Sequence, residues 1–189
     1  MPLRVIGGEL GGRVLRGPPR SGVRPTADRV REALFEMLKS RGAPMRRVLD
    51  LYSGTGAMGI EAISRGAEWC DFVESDAKAC DVIRENLRIT GLRDVTKLWP
   101  MPLARVIPRL VAAGPEASTA AYDLVVADPP YAYDRAEVEL ALVVEKGLVA
   151  EGGTLVVEHS QRKDWPPILG RLQQLTSRRY GDTRVTLYA

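Results

Sequence analysis

The chain has 189 residues, of which 45% are hydrophobic and 27% are charged, as is usual for a soluble globular protein with one core. No apolar stretch approaches the roughly 20 residues of a membrane-spanning helix, and Met1 to Arg4 lack the apolar segment of a signal peptide. A single histidine excludes a histidine-based metal cluster, and Cys70 and Cys80 have no metal-binding spacing. We therefore expect a cytoplasmic protein without a metal, whose two cysteines are buried thiols.

The charge is unevenly distributed along the chain. Residues 1–47 contain eleven Arg or Lys and four Asp or Glu, a net charge of +7, whereas the remainder carries −4. Such a basic segment predicts attachment to a polyanion, with nucleic acid as the favoured partner. The alternative for each arginine is an ion pair within the protein. Arg24, Arg29 and Arg31 are expected to divide between phosphate contacts and ion pairs with Asp28 or Glu32. The candidate RNA contacts are Arg4, Arg13, Arg16, Arg24, Arg29 and Arg31.

The N-terminal segment predicts a small hairpin followed by a helix. Short β-prone pieces at 4–6 and 13–16 are separated by paired glycines, which is typical of an exposed hairpin. Apolar residues then recur at helical spacing after Thr26, a candidate N-cap, and stop before Gly42. We expect an RNA-binding extension over residues 1–45 and a second domain over residues 46–189.

From residue 46 onward, the pattern alternates between strands and helices. Such alternation predicts an α/β fold with a doubly wound, mostly parallel sheet and right-handed crossovers. The last two β-prone pieces predict a closing antiparallel pair and bring the sheet to seven strands. The expected strands cover 48–52, 70–74, 95–98, 122–127, 154–158, 172–180 and 184–188, and the expected helices cover 58–65, 76–90, 103–113 and 135–149.

A glycine loop follows the first strand of the sheet. Gly54 and Gly56 permit a sharp turn close to a ligand, and Gly59 permits tight packing of the next helix. The spacing also fits a dinucleotide-binding loop, but Asp50 would place a carboxylate beside the pyrophosphate. That carboxylate suits an amino group or a sulfonium better.

Glu74 ends the second strand, 20 residues after Gly54, where an acid accepts hydrogen bonds from ribose hydroxyls. The alternative is an exposed acid at a strand end. Together with Asp50 and the glycines, Glu74 predicts the S-adenosylmethionine pocket of a class I methyltransferase. The third strand ends without an acid or amide to bind the adenine amino group, which leaves Trp99 or Met101 as the expected contact. The predicted cofactor residues are Asp50, Tyr52, Ser53, Gly54, Gly56, Gly59, Glu74, Ser75 and Met101.

The tetrapeptide Asp128, Pro129, Pro130 and Tyr131 follows the apolar fourth strand. Two prolines stop the strand and stiffen the turn, at the sheet edge where open α/β sheets bind ligands. An acid and a proline carbonyl can accept both hydrogens of an NH2 group while the ring stacks on a base. The alternative is a structural turn, but the cofactor loop favours a catalytic site that binds the methyl acceptor.

Over nearly its whole length the chain resembles the bacterial 16S rRNA guanine-N2 methyltransferases known as methyltransferase D. The resemblance rests on Ile6–Gly8, on the run from Arg24 to Phe35, on the loop from Asp50 to Gly59 and on Asp128–Tyr131. It implies methylation of N2 of guanine 966 in 16S rRNA within an assembling 30S subunit, with S-adenosylmethionine as cofactor. We expect a monomer.

Two other functions fit parts of the sequence. Adenine-N6 DNA methyltransferases share the Asp-Pro-Pro-Tyr tetrapeptide, although no segment here is long enough for a separate target-recognition domain. An RNA-binding assembly factor without catalysis would also explain the basic N-terminal segment.

Overall fold

The computed structural model describes residues 2–18, 25–112 and 121–189, except for the side chains of residues 25–27. These ranges contain helices α1 Pro25–Ser40, α2 Ala57–Ser64, α3 Ala77–Thr90, α4 Leu103–Ala112 and α5 Ala136–Glu145. The strands are β1 Arg47–Leu51, β2 Trp69–Glu74, β3 Thr96–Pro100, β4 Tyr122–Ala127, β5 Val149–Ser160, β6 Ile168–Leu169, β7 Leu172–Tyr180 and β8 Thr183–Tyr188.

The strands form one sheet in the order β3-β2-β1-β4-β5-β8-β7-β6. The first five are parallel, whereas β8, β7 and β6 are antiparallel. The predicted doubly wound α/β architecture is confirmed, but the predicted count of seven strands omitted β6, a two-residue strand at the edge. The order of the strands reverses between β1 and β4, and the carboxyl ends at such a reversal are where this type of sheet binds ligands.

Local sequence explains where several elements begin and end. The Asp76 carboxylate accepts a hydrogen bond from the Ala79 amide (2.8 Å) and so caps α3, which ends at Gly91 in the left-handed conformation. The predicted helix over 135–149 ends earlier, at Glu145, because Gly147 has a φ of 71° and β5 begins at Val149.

The N-terminal residues form the predicted hairpin. The amide of Val5 donates to the carbonyl of Arg13, and the amide of Leu15 donates to that of Leu3, both at 2.9 Å. The hairpin lies on α2, where the buried Glu61 carboxylate accepts hydrogen bonds from the backbone around Ile6.

Buried side chains form one hydrophobic cluster on each face of the sheet. The first cluster contains residues of α4 and α5. The second contains Leu3 and Val5 of the hairpin, Leu34 of α1, and Val48 and Val126 of the sheet. The hairpin and α1 thus contribute to the core that β1 and β4 share, and the division of the chain at residue 45 stays a prediction.

His159 is buried, 3% exposed, and its Nε2 atom lies at hydrogen-bond distance (2.9 Å) from the Thr186 hydroxyl. Burial lowers the pKa of its imidazole. Both cysteines are buried free thiols, as expected. In the described part of the chain, no helix is both long and apolar enough to cross a membrane.

Candidate active site

A cavity of about 780 Å³ opens at the carboxyl edge of the central strands. Its walls come from the glycine loop, the ends of β2, β4 and β5, the turn before β8, the hairpin and α1. The hairpin and α1 therefore cover one side of a site whose floor belongs to the sheet. Its charged side chains are Arg31, Asp50, Glu74, Asp128, Glu158 and Asp182.

Asp50 lies at the bottom of the cavity, 3% exposed, at the end of β1. Its carboxylate accepts a hydrogen bond from the Gly59 amide (2.9 Å) in the first turn of α2. Burial raises the pKa of Asp50 well above its usual range, the hydrogen bond from Gly59 opposes this, and the charges of Asp128 and Glu74 add to it. A cation bound beside Asp50 would relieve that penalty.

The glycine loop adopts the expected tight turn. Gly54 and Gly56 have φ angles of 55° and 75°, in the left-handed region that glycine enters without steric cost. Gly59 faces the sheet, and a Cβ atom there would lie 2.4 Å from the ring of Phe72 and 2.5 Å from the Cys70 sulfur. Gly54 lines the cavity, whereas Gly56 and Gly59 set the shape of the loop and allow α2 to pack closely.

Glu74 lies at the rim of the cavity beside Ser75, at the end of β2. Its carboxylate accepts hydrogen bonds from the amides of Gly54 (2.8 Å), Ser75 (2.7 Å) and Asp76 (2.8 Å). These contacts hold the carboxylate against the glycine loop, and the half-buried side chain still faces the cavity. Glu74, which the sequence predicts as a ribose contact, therefore lies in the same cavity as Asp50.

Tyr52 connects the glycine loop to α5. It has a φ of 57°, the one positive value among the non-glycine residues that the structure describes. Its hydroxyl and that of Tyr133 donate to the two oxygens of Glu139, each at 2.8 Å, and the two rings meet edge to face at 6.0 Å. Glu139 is 5% exposed. These bonds hold an uncommon backbone conformation in place. Sequence reasoning missed Glu139, since an acid within a helix usually indicates a solvated position.

The tetrapeptide lies directly across the cavity from the glycine loop. Asp128 faces the cavity, and the protein around its carboxyl group raises its pKa to about 6 through desolvation. Tyr131 is 47% exposed, and its hydroxyl lies 2.7 Å from that of Thr183, the first residue of β8. Pro129 and Pro130 line the same cavity. The structure thus brings together the predicted catalytic residues and most of the predicted cofactor residues.

Met101 and Trp99, the residues expected near adenine, lie outside the cavity lining. The Trp99 indole donates to the carboxylate of buried Asp71 (2.7 Å), and the Met101 sulfur lies 2.9 Å from a guanidinium nitrogen of Arg109. Both side chains pack against the cluster that contains α4. The cavity therefore gives no support to an adenine contact by Met101, because its side chain is held on another surface.

The predicted RNA-binding arginines separate into two groups. Arg4, Arg13, Arg16 and Arg29 are exposed. Arg31 is 4% exposed, and its guanidinium donates to the Arg4 carbonyl (2.6 Å) and to the Asp28 carboxylate (3.1 Å). Of the two alternatives expected for Arg31, the structure shows the ion pair with Asp28, and a phosphate contact by Arg31 stays a prediction. Arg24 lies outside the described residues.

Sequence reasoning also missed Glu158, which lines the cavity beside Asp128. Ala127 of β4 pairs with Val157 of β5 in parallel register, so Asp128 and Glu158 follow side by side. Burial and the neighbouring Asp128 raise the pKa of Glu158 to about 8, while Arg31 lowers it. A single acid at the end of an apolar strand gives little signal in a sequence, because solvated strand ends have the same pattern.

Comparison with known proteins identifies the family. The family model described as Conserved hypothetical protein 95 matches residues 3–189. The chain belongs to this family. A Bacillus subtilis (strain 168) protein named "Putative rRNA methyltransferase YlbH" is 33% identical over 189 residues, which are 98% of each chain. Ribosomal RNA small subunit methyltransferase D of Escherichia coli (strain K12) is 30% identical over 169 residues, covering 88% of this chain and 79% of that one.

Solved structures agree with this assignment. The structure of a hypothetical protein from Thermus thermophilus superposes with a TM-score of 0.81 at 32% identity and covers 98% of both chains. The expected class I methyltransferase fold and the resemblance to methyltransferase D are both confirmed.

Proposed function

We propose that the protein methylates the exocyclic N2 of guanine 966 in 16S rRNA, within an assembling 30S subunit in the cytoplasm. One observation carries the proposal: a glycine loop with its two acids and the Asp-Pro-Pro-Tyr tetrapeptide line the same cavity. The cofactor is S-adenosylmethionine. The protein works as a monomer and needs no metal ion.

The residues of the cavity fit that cofactor. Asp50 provides a buried carboxylate for a cationic group, Glu74 provides acceptors at the rim for ribose hydroxyls, and Gly54 leaves the backbone open to the ligand. S-adenosylmethionine supplies an electrophilic methyl group on a sulfonium. Because the cavity of about 780 Å³ also reaches Tyr131, it leaves room for a nucleobase beside the cofactor.

Asp128 acts on the methyl acceptor. The lone pair of the guanine amine is delocalised into the ring, and hydrogen bonds from its N–H groups to Asp128 and the Pro129 carbonyl localise that pair on nitrogen. The bound cofactor would supply the methyl group, and the acceptor nitrogen would gain positive charge as it takes that group up. The Asp128 carboxylate stabilises this charge and accepts the departing proton.

Tyr131 positions the base. Its exposed ring offers a stacking surface, and the hydrogen bond to Thr183 fixes the orientation of the ring. Since a paired base cannot enter the cavity, the target must be unpaired or flipped out of its helix. The exposed Arg4, Arg13, Arg16 and Arg29 supply charge for the flanking phosphates.

The test is methyl transfer to particles that lack the modification. Purified protein and labelled cofactor are added to 30S subunits from a strain without this methyltransferase, and the labelled nucleoside is identified by mass spectrometry. We expect N2-methylguanosine at position 966. Asp128→Asn should abolish transfer while cofactor and RNA affinity persist, whereas Asp134→Asn, at an exposed site three residues beyond the tetrapeptide, should retain activity.

Other outcomes of this assay would identify a different function. Label in N6-methyladenine of DNA would identify an adenine methyltransferase. Tight RNA binding without turnover on any ribosomal particle would identify an assembly factor.

A further inference from the structure

Two carboxylates, rather than one, face the place where the acceptor base binds. Asp128 and Glu158 end neighbouring parallel strands in register, and both line the cavity. Glu158 also borders a small apolar recess of about 10 Å³, with Leu34 and Val185 among its walls. Its carboxylate therefore lies between an apolar wall and the tetrapeptide.

Within the described residues, neither carboxylate accepts a hydrogen bond from the protein. Arg31, whose charge lowers the pKa of Glu158, donates from one guanidinium nitrogen to the Arg4 carbonyl and the Asp28 carboxylate, and it lies 3.5 Å from the Glu61 carboxylate. Asp128 is exposed and Glu158 is half-buried, so both side chains are open to a ligand in the cavity. Two adjacent carboxylates at a ligand site offer acceptors for two N–H donors of one ligand.

Guanine carries the required donors. Its N1–H and N2 amine are neighbours on one edge and both donate. In adenine the exocyclic amine is next to N1, which has no hydrogen and accepts. A carboxylate facing N1 thus attracts guanine and repels adenine, and sites built around a substrate N–H discriminate strongly against analogues that lack it.

We propose that Glu158 is the residue that selects guanine, by accepting a hydrogen bond from N1–H while Asp128 accepts one from the N2 amine. This inference rests on the proposed function and explains how the site distinguishes two bases that the tetrapeptide alone does not. Burial and the charge of Asp128 raise the pKa of Glu158 to about 8, and desolvation raises that of Asp128 to about 6. A bound N–H donor lowers both pKa values and so favours the ionised carboxylates that the pairing needs. Among the residues that the structure describes, the other charged groups that line the cavity are Arg31, Asp50, Glu74 and Asp182.

The test is a change of specificity. 2-Aminopurine keeps the N2 amine but has an acceptor at N1, and it can be placed at position 966 by splinted ligation of 16S rRNA before assembly into 30S particles. The ratio of kcat/KM for guanine to that for 2-aminopurine should be roughly 10- to 100-fold smaller in Glu158→Gln than in the wild type, because the glutamine amide can donate to N1.

Controls separate selection from folding. Glu151→Gln changes an exposed acid on the same strand and should leave the ratio unchanged. Glu158→Gln should keep its cofactor affinity and should melt no lower than the wild type, because the substitution removes the repulsion from Asp128 without changing side-chain size. Methyl transfer by the wild type to guanine tests the proposed function itself, so an inactive wild type would refute that function.

Two results would overturn the role of Glu158 while leaving the proposed function in place. One is an unchanged ratio in Glu158→Gln with wild-type activity on guanine. The other is an equal loss of activity on both bases in a folded variant, which would assign Glu158 to the chemistry instead of the selection.

Discussion

Removing the Glu61 carboxylate should detach the N-terminal hairpin from the body of the protein. Glu61 is fully buried in α2, and its two oxygens accept hydrogen bonds from the Ile6 and Gly7 amides, each at 2.8 Å. One oxygen also accepts from Arg65 (2.7 Å), and the other lies 3.5 Å from Arg31. Glu61→Ala therefore leaves two amides and two guanidinium groups without their shared acceptor.

The expected loss of stability is large because Glu61 is fully buried. Breaking a buried ion pair by removing one partner costs about 3–5 kcal/mol, and a chain of this size loses roughly 2–4 °C of melting temperature per kcal/mol. We therefore expect Glu61→Ala to melt roughly 10 °C below the wild type. The exposed pair of Arg46 with Glu68, at 2.8 Å, provides the matched control, and Glu68→Ala should leave the melting temperature unchanged.

Urea unfolding and hydrogen exchange measure the two parts of this prediction. The amides of Ile6, Gly7 and Leu10 should lose protection in Glu61→Ala more than those of β1 and β4, since the hairpin opens without unfolding of the sheet. A variant as stable as Glu68→Ala, or one with unchanged protection in the hairpin, would refute the role given to Glu61.

Four further variants or measurements probe the site and its surroundings. Gly59→Ala should destabilise the protein by about 1–3 kcal/mol in urea unfolding, because its methyl group overlaps a ring and a thiol; no loss would refute that contact. Glu139→Gln should weaken cofactor binding in calorimetry by loosening the glycine loop, and unchanged affinity would contradict the link. Methyl transfer should fall as the pH drops through about 6, because a protonated Asp128 cannot accept the proton, and a flat profile would exclude that role. Arg13→Ala with Arg16→Ala should lower the salt dependence of RNA binding by roughly two units of slope, whereas an unchanged slope would show that neither contacts phosphate.

The strands and the cofactor loop could be predicted because their signals are local. Buried parallel strands are continuous apolar runs, and Leu49, Val125 and Leu155 in β1, β4 and β5 are all fully buried. Glycine at 54 and 56 is required by backbone angles that the chain adopts within the loop itself. A sequence window of about ten residues contains this information.

The residues that sequence reasoning missed can be identified only by their contacts with distant parts of the chain. Glu61, Glu139 and Glu158 are acids within otherwise apolar elements, and sequence alone does not tell a solvated position from a buried acceptor. Glu61 is paired with amides 54 and 55 residues away, and Glu139 binds a hydroxyl 87 residues away. For Arg31 the sequence offers the nearby Asp28 as an ion-pair partner, but it gives no sign of the contact with Glu61, which is remote along the chain.

These long-range contacts change the role of the N-terminal segment. The glycine at position 8 has a φ of 75°, and a Cβ there would lie 1.8 Å from the Ser64 carbonyl oxygen, so Ile6–Gly8 serves to dock the hairpin on α2. Docking brings Leu3 into the wall of the cavity, together with Arg31 of α1. Since the exposed arginines belong to the same hairpin and helix, RNA bound to them as proposed would lie against the wall of this cavity. The segment proposed to bind phosphates would then also shape the cavity for the base, and a variant that loosens its docking should weaken RNA binding and methyl transfer together.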